Sequence, residues 1–453
     1  MKTLSKLLVP FILSIVVLTG CGGGSEKNTS VAPTIYVNFY DNNLDLIETV
    51  KVNAELYNLS DLQSGYTWYI AESNLPITNY NITQNINFYT VPNVYEIQNE
   101  TQLYNIRDDL SGNYILINDI SLTNETLDEI SGWDPIGAKN NPFSGIFNGN
   151  RHKVTDFFIN NTIKLHVGFF GYIDGGVVKN FGIEISEKGV VESSPDISFN
   201  RDIGSIAGII DNGVIANCYS MGNIVSNRGT VHMGGIAGGV SNTFISNCYT
   251  AGNITMVGDW SAIGGIVAYA GNSTINNCYS TRDITITEGN HMFAGGIVGY
   301  VGGIYDGSEY VGGTSISNCY SIGNISVSGW INAGGIAGHN ENGISIISNC
   351  AAINGNIRSD NGNRILAGGS STTTLTNNFA NSAMLLNGAV VGNSDYNGIG
   401  KTLAELQTQY IYKNKAANGG LGWKFGNDDD NPWAWNAFED YPYPTLYWQT
   451  QKP

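Results

Sequence analysis

Gly234-Gly235-Ile236-Ala237-Gly238, then Ile245-Ser246-Asn247-Cys248-Tyr249-Thr250, then Gly252-Asn253-Ile254: this phrase decides the reading of the chain, because it recurs. One step earlier it stands as Gly204-Ser205-Ile206-Ala207-Gly208, Val214-Ile215-Ala216-Asn217-Cys218-Tyr219-Ser220 and Gly222-Asn223-Ile224. It returns at Gly264, Gly295 and Gly334. Its cysteines fall at 218, 248, 278, 319 and 350, in steps of 30, 30, 41 and 31. The long step is absorbed by Val301 to Gly313, a Gly-rich insertion that reads as a loop. Degenerate copies flank the set, at Val167 to Gly171 with Lys179-Asn180-Phe181, and at Leu375 to Phe379.

A fixed period near thirty residues with constant internal order predicts a solenoid. Each unit holds three short β-like pieces separated by Gly, Asn and Ser turns, with little helix propensity. Three strands per turn predicts an all-β fold, a right-handed parallel β-helix, with successive turns stacked about 4.8 Å apart. The asparagines 217, 247, 277, 318 and 349 are expected at a bend, with their amides bonded up the stack. No single repeat can bury its own apolar face, so the core is shared between turns.

The phrase G-G-I-A-G followed by S-N-C-Y-S-x-G-N-I resembles the GLUG repeat of bacterial surface proteins and of some immunoglobulin-A-cleaving metallopeptidases. The segment before it agrees. Tyr95-Glu96-Ile97, Leu110 to Leu116, Asn118-Asp119-Ile120, Trp133 to Gly137, Pro142 to Asn150 and His152 resemble the stretch that leads into such repeats. The resemblance spans roughly Val94 to Trp448 and speaks for architecture rather than function. Short helices are expected to cap the solenoid. Asn99-Glu100-Thr101-Gln102 can form a capping box and open a helix with Leu103, Ile106 and Leu110 on one face. Thr402-Leu403-Ala404-Glu405 is a second box, and the Trp-, Tyr- and Pro-dense end, Trp423 to Trp448, reads as an aromatic cap.

Five segments follow from this reading. Residues 1–20 read as a signal peptide: Lys2 and Lys6 precede an apolar run, Leu7 to Leu18, too short for a bilayer span of about 20 residues. Leu18-Thr19-Gly20-Cys21 resembles the lipobox of bacterial lipoproteins, which implies diacylation of Cys21, and Gly22 after it implies sorting to the outer membrane. Residues 21–33 are a polar tether. Residues 34–92 hold four β-like runs, Ile35 to Phe39, Thr49 to Val52, Tyr66 to Tyr69 and Ile86 to Tyr89. They resemble the β-grasp-like B-repeat of internalin-type surface proteins. Residues 93–400 are the β-helix, and 401–453 its C-terminal cap.

The chain carries 38 acidic and 21 basic side chains, net −17. Loss of Lys2 and Lys6 with the signal gives −17 − 2 = −19. Such a surface disfavours nucleic acid and anionic headgroups. The repeat cysteines form no C-x-x-C, and their period is structural, so a column of buried thiols is favoured over a metal site or disulfides. The histidines 152, 166, 232, 291 and 339 are scattered in sequence, and no H-E-x-x-H or G-x-S-x-G occurs. No cofactor and no metal ligand set is expected. Asp428-Asp429-Asp430 could ligate calcium but lacks alternating spacing, so a solvated turn is favoured. Gly398-Ile399-Gly400-Lys401-Thr402 imitates a phosphate loop, but Thr402 is better used as a helix cap.

One column is a candidate binding strip. Tyr219, Tyr249, Tyr279 and Tyr320 follow the cysteines, and if Cys points inward, Tyr points outward. Four rings in a row would offer a flat strip to sugar rings, or would merely shield the ladder by stacking on each other. The expectation is therefore a non-catalytic, lipid-anchored surface protein for adhesion or for binding a protein or glycan. A polysaccharide lyase or glycoside hydrolase on the same scaffold is the alternative, and a structural envelope component the third.

Overall fold

The computed structural model describes strands between 35 and 91, and residues 94–451 except 124–126, 162, 194–200, 228–229, 306–309, 329–330, 342, 370–372, 436 and 439–440. Cys21, with the signal and tether, lies outside the described residues. The chain divides into two compact units, Met1–Val94 and Tyr95–Pro453.

The first unit contains a four-stranded mixed sheet built from the four β-like runs. Ile35–Tyr40 lies between Leu46–Val52, antiparallel to it, and Ile86–Val91, parallel to it; Thr67–Ile70 closes the far edge antiparallel to Ile86–Val91. Leu56–Asn58 and Asn79–Asn81 form a separate antiparallel pair.

The second unit is a parallel β-helix. One coil shows the plan: β1 (Val231–Gly234), β2 (Ala237–Ser241), β3 (Phe244–Ser246), β4 (Tyr249–Ala251) and β5 (Asn253–Val257). Each pairs in parallel with its counterpart one repeat on, for example Met233 with Ile263, Val240 with Ala270, Ile245 with Ile275, Tyr249 with Tyr279 and Ile254 with Ile284. The expected three strands per turn are therefore five. Two pieces of the motif each contain a corner: Gly235-Ile236 separates β1 from β2, and Asn247-Cys248 separates β3 from β4.

The asparagine corner is left-handed. Asn180, Asn217, Asn247, Asn277, Asn318, Asn349 and Asn377 all take φ between 51° and 54°, a conformation that asparagine tolerates better than most residues with a side chain. Their amides link several successive coils, as from Asn217 to Asn180 (3.1 Å), Asn318 to Asn277 (3.3 Å) and Asn377 to Asn349 (2.7 Å). A second left-handed row at Asn212, Asn242 and Asn272 turns the corner between β2 and β3 and its counterparts, with amide bonds of 3.3 and 2.8 Å.

Inside the tube the core columns are aliphatic and thiol. Ile236, Ile245, Cys248 and Ile254 are fully buried, and so are their counterparts in the following coil. A polar seam runs beside them. Ser220, Thr250, Ser280 and Ser321 face inward in register. Thr250 Oγ1 donates to Gly265 O at 2.7 Å. Arg282 lies in this seam, 2% exposed, and donates to Ser220 Oγ at 2.8 Å and Gly222 O at 2.5 Å. Desolvation pulls its pKa down to about 9, so it remains charged near neutral pH.

The ends differ from expectation in detail. Asn99 caps the helix Glu100–Tyr104 by accepting from Gln102 N, but the Gln102 side chain reaches Gln98 N rather than closing the box on Asn99. Leu103 and Ile106 are buried and Leu110 partly so. Thr402 and Glu405 form the full reciprocal box before Leu403–Leu406. Within the Gly-rich insertion, read as a loop, Ile304–Tyr305 pairs antiparallel with Tyr310–Val311.

All five repeat cysteines are free and buried. Each Sγ lies near the carbonyl two residues back, at 3.1 to 3.3 Å. Burial raises the thiols of Cys218, Cys278 and Cys350 above their ordinary range. Iodoacetamide should label none of the five in the native protein and all five in denaturant, read by intact mass; a native Cys248–Cys278 crosslink would contradict this.

Candidate functional site

The tyrosine column forms, but it is not an open strip. Tyr219, Tyr249, Tyr279 and Tyr320 stack face to face, with centroids 4.7–5.2 Å apart and planes within 8°. Rings stacked along the axis spend their flat faces on each other and turn only edges outward, which is the arrangement of the shielding alternative rather than of a flat sugar-stacking strip. At Tyr279 and Tyr320 the edges are covered as well, while Tyr219 and Tyr249 stay partly exposed. The C-terminal segment lies along this flank instead of sitting only over the end of the solenoid. Tyr320 is fully buried and Tyr279 4% exposed.

The segment grips the coils at their asparagine corners. Asn217 Nδ2 donates to Asp429 at 3.0 Å, Trp448 Nε1 to Asn247 O at 3.1 Å, Trp423 Nε1 to Asn349 O at 2.8 Å, and Asn377 Nδ2 to Gly420 O at 3.1 Å. Between these points it bonds the phenols themselves. Gln449 meets the Tyr279 hydroxyl, which is 2.8 Å from Nε2, and Tyr320 donates to Pro444 O at 2.6 Å. Trp423 and Trp433 stack at 4.5 Å over Tyr320. Burial pushes the Tyr249 hydroxyl up to about 12 and those of Tyr279 and Tyr320 well above the ordinary phenol value. The acidic turn is part of this lock. Asp429 also accepts from Tyr447 at 2.7 Å, and Asp428 accepts from Asn431 N and Nδ2.

The accessible rows lie elsewhere, where the first strand of each coil meets the second. The G-G-I-A-G phrase makes this corner tight. A Cβ on Gly234 would sit 1.9 Å from Ala237 O, and one on Gly238 would sit 2.4 Å from Ile203 N. The outward positions of the two strands consequently face each other across an inside corner. On one wall the register sets His166, Asp202, His232, Ala262, Phe293 and Asn332 in a column. On the other it sets Tyr172, Ile209, Gly239, Tyr269, Tyr300 and His339.

The columns touch across the corner. His166 meets Tyr172 at 5.3 Å, His232 meets Tyr269 at 6.2 Å, and Phe293 meets Tyr300 at 5.2 Å and His339 at 4.7 Å, all between ring centroids. His232, Tyr269, Phe293, Tyr300 and His339 are half-buried, with part of each ring in solvent. Three histidines that are scattered in sequence thus gather in one corner.

Asp202 holds the lower end. It is 8% exposed and bonds two imidazoles, His166 Nδ1 at 3.1 Å and His232 Nδ1 at 2.8 Å. Burial would raise its carboxyl; the two imidazole hydrogen bonds outweigh that and hold it below the ordinary carboxylate range. Tyr172 donates to the Asp211 carboxylate beside this cluster, and burial raises its hydroxyl far above the usual value. Reading the sequence for isolated catalytic motifs misses the cluster. Its signal is positional: two residues before the first glycine of each phrase, and one residue after the last.

The fold is a parallel β-helix, and one window of its repeat matches a known motif family. Residues 261–287 match the GLUG motif, and that window is one coil of the tube from Ser261 to Thr287. A protein of Evansella cellulosilytica described as a Gly-rich membrane protein is 36% identical over 126 residues, which is 27% of this chain; the chain spans 14% of that relative's length. Among solved structures, a Bacteroides ovatus protein described as an immunoglobulin A1 protease is similar at 21% identity, covering 78% of this chain and 92% of that one, with a TM-score of 0.48. A second structure, an IgA1 protease, covers 74% of this chain and 26% of its own at 17% identity and a TM-score of 0.46.

Two outcomes are expected. Trp433→Ala, at a fully buried ring of the C-terminal lock, should cost about 3–5 kcal/mol in urea unfolding. For Asp202 the folded carboxyl is lowered, so its stabilisation is present above the unfolded value near pH 4 and fades as pH falls through the folded one. The stability gap between parent and Asp202→Asn should therefore shrink below about pH 4; a gap constant down to pH 2 would contradict the assignment.

Proposed function

We propose that this chain is a lipid-anchored envelope protein that presents the inside corner of its β-helix to a protein or glycan partner. The observation that carries the reading is the contrast between two aromatic ladders. The Tyr279 and Tyr320 end of the tyrosine column is covered by the chain's own C-terminal segment, whereas the corner holds imidazole, phenol and phenyl groups half in solvent over successive coils, two of the imidazoles bonded to the buried Asp202 carboxylate. Exposed rows of that kind, interleaved with hydrogen-bonding groups, suit recognition. The lipobox-like Leu18-Thr19-Gly20-Cys21 and the 36% identical relative described as a membrane protein support a membrane or surface location.

The Asp202 cluster favours a second reading, a glycan-active enzyme. A carboxylate bonded to Nδ1 leaves Nε2 of each imidazole for a partner, the disposition of an oriented general base. Turnover of a polysaccharide panel by the parent and loss of that turnover in His232→Gln would establish it.

Cys21→Ser should abolish acylation and release the protein from membranes; unchanged fractionation and lipid labelling would refute the anchor. Tyr269→Ala combined with Phe293→Ala should lower attachment to partner cells or glycans several-fold, since each aromatic contact contributes about 1 kcal/mol, with circular dichroism unchanged. Undiminished attachment by the folded double variant would move the binding face away from the corner.

A further inference from the structure

One pair of rings stands apart from both ladders. Trp260 is 63% exposed, more than any other aromatic side chain among the described residues. Its ring stacks on His291, itself exposed, with centroids 4.3 Å apart and planes 21° apart. Both residues are left-handed, Trp260 at φ 54° and His291 at φ 55°. The register of Ala262 with Phe293 places them at the same position in consecutive coils. The register of Met292 with Ile331 carries that position to Trp330, which lies outside the described residues.

The turn under Trp260 is pinned. Trp260 N donates to Asn290 O at 3.0 Å, Asn290 N to the Asp259 carboxylate at 2.6 Å, and Gly258 N to Glu288 O at 3.1 Å. These bonds are made by main chain and by Asp259, and none needs the indole. The preceding coil makes the same turn with Thr230 at φ 41°. A bulky residue held left-handed and in solvent is unfavourable for folding on both counts. Stability therefore does not explain the tryptophan.

We propose that Trp260, backed by His291, is a stacking platform for a neutral saccharide. With His291 on one face, an exposure of 63% leaves the opposite face of the indole open. A pyranose ring lays its C–H face on such a surface. Asp259, Glu288 and Asn290 are exposed around it and supply acceptors and an amide for sugar hydroxyls. The two carboxylates, on a chain of net charge −17, select against acidic sugars and anionic lipids. The platform lies on the turns before the first strands of its coils and does not rest on the corner reading.

The test is affinity electrophoresis of the full chain through gels containing a neutral β-glucan, a galactomannan or polygalacturonate, with flotation on phosphatidylglycerol vesicles alongside. The parent should be retarded in a neutral gel. Trp260→Ala should bind about fivefold more weakly or worse, Trp260→Phe should keep part of the retardation, and Tyr410→Ala, at a 59% exposed ring of the C-terminal segment, should keep all of it. Trp260→Gly should lose retardation yet melt no lower than the parent, because glycine accepts the left-handed turn. The proposal is overturned if the parent passes unretarded through both neutral gels, if Trp260→Ala runs like the parent, if binding is confined to polygalacturonate or vesicles, or if Trp260→Gly melts lower.

Discussion

Each coil of this protein satisfies its main-chain hydrogen bonds through the coils on either side, and that requires every coil to turn its corners at the same place. The asparagine corner meets the requirement locally. Seven asparagines within 3° of one another in φ redirect the chain between the third and fourth strands of successive coils, and amide bonds tie many of them to the next. An unsatisfied buried main-chain group costs about as much as a lost hydrogen bond. A coil out of register would leave a whole row of them. The fixed corner is therefore what the rest of the architecture depends on.

Registered stacking makes ladders of whatever side chain the repeat carries. Thiols become a buried column, hydroxyls an inner seam that admits Arg282, and phenols a pile of parallel rings. The spacing near 5 Å decides what an aromatic ladder can do, because neighbouring rings cover each other's faces. Useful aromatic surface then arises where the repeat is broken: at Gly239 and Ala262 among the corner rows, and at Trp260, where the coil before has only Thr230. The C-terminal segment adds a second decision. By bonding the corners at Asn217, Asn247, Asn349 and Asn377 it lies along one ladder, burying Tyr279 and Tyr320, and leaves the corner rows in solvent.

The period, the asparagine bend and the inward thiols were legible in the sequence, because each follows from one residue type repeated at one step. The number of strands per coil was not. Gly235-Ile236 and Asn247-Cys248 each hide a corner inside what reads as a single β-like piece. For the tyrosine column the sequence left an open strip and self-stacked, shielding rings as alternatives, and it could not show the cover, which comes from residues more than a hundred positions away, such as Tyr441 and Pro444 over Tyr320. The corner cluster was missed for the opposite reason. Asp202, His232 and Phe293 share no residue type, and only the pairing register shows that they form one column with opposing rings beside it.

The account holds that the Tyr279 and Tyr320 end of one aromatic ladder is sealed by the chain itself while the corner rows and Trp260 meet solvent. Hydroxyl-radical footprinting of the native protein, read by peptide mass spectrometry, tests this directly. Trp260, Tyr269 and Tyr300 should oxidise readily, and Tyr279 and Tyr320 should remain protected until the protein is unfolded. Oxidation of Tyr279 and Tyr320 in the native state as fast as Tyr269 would contradict it.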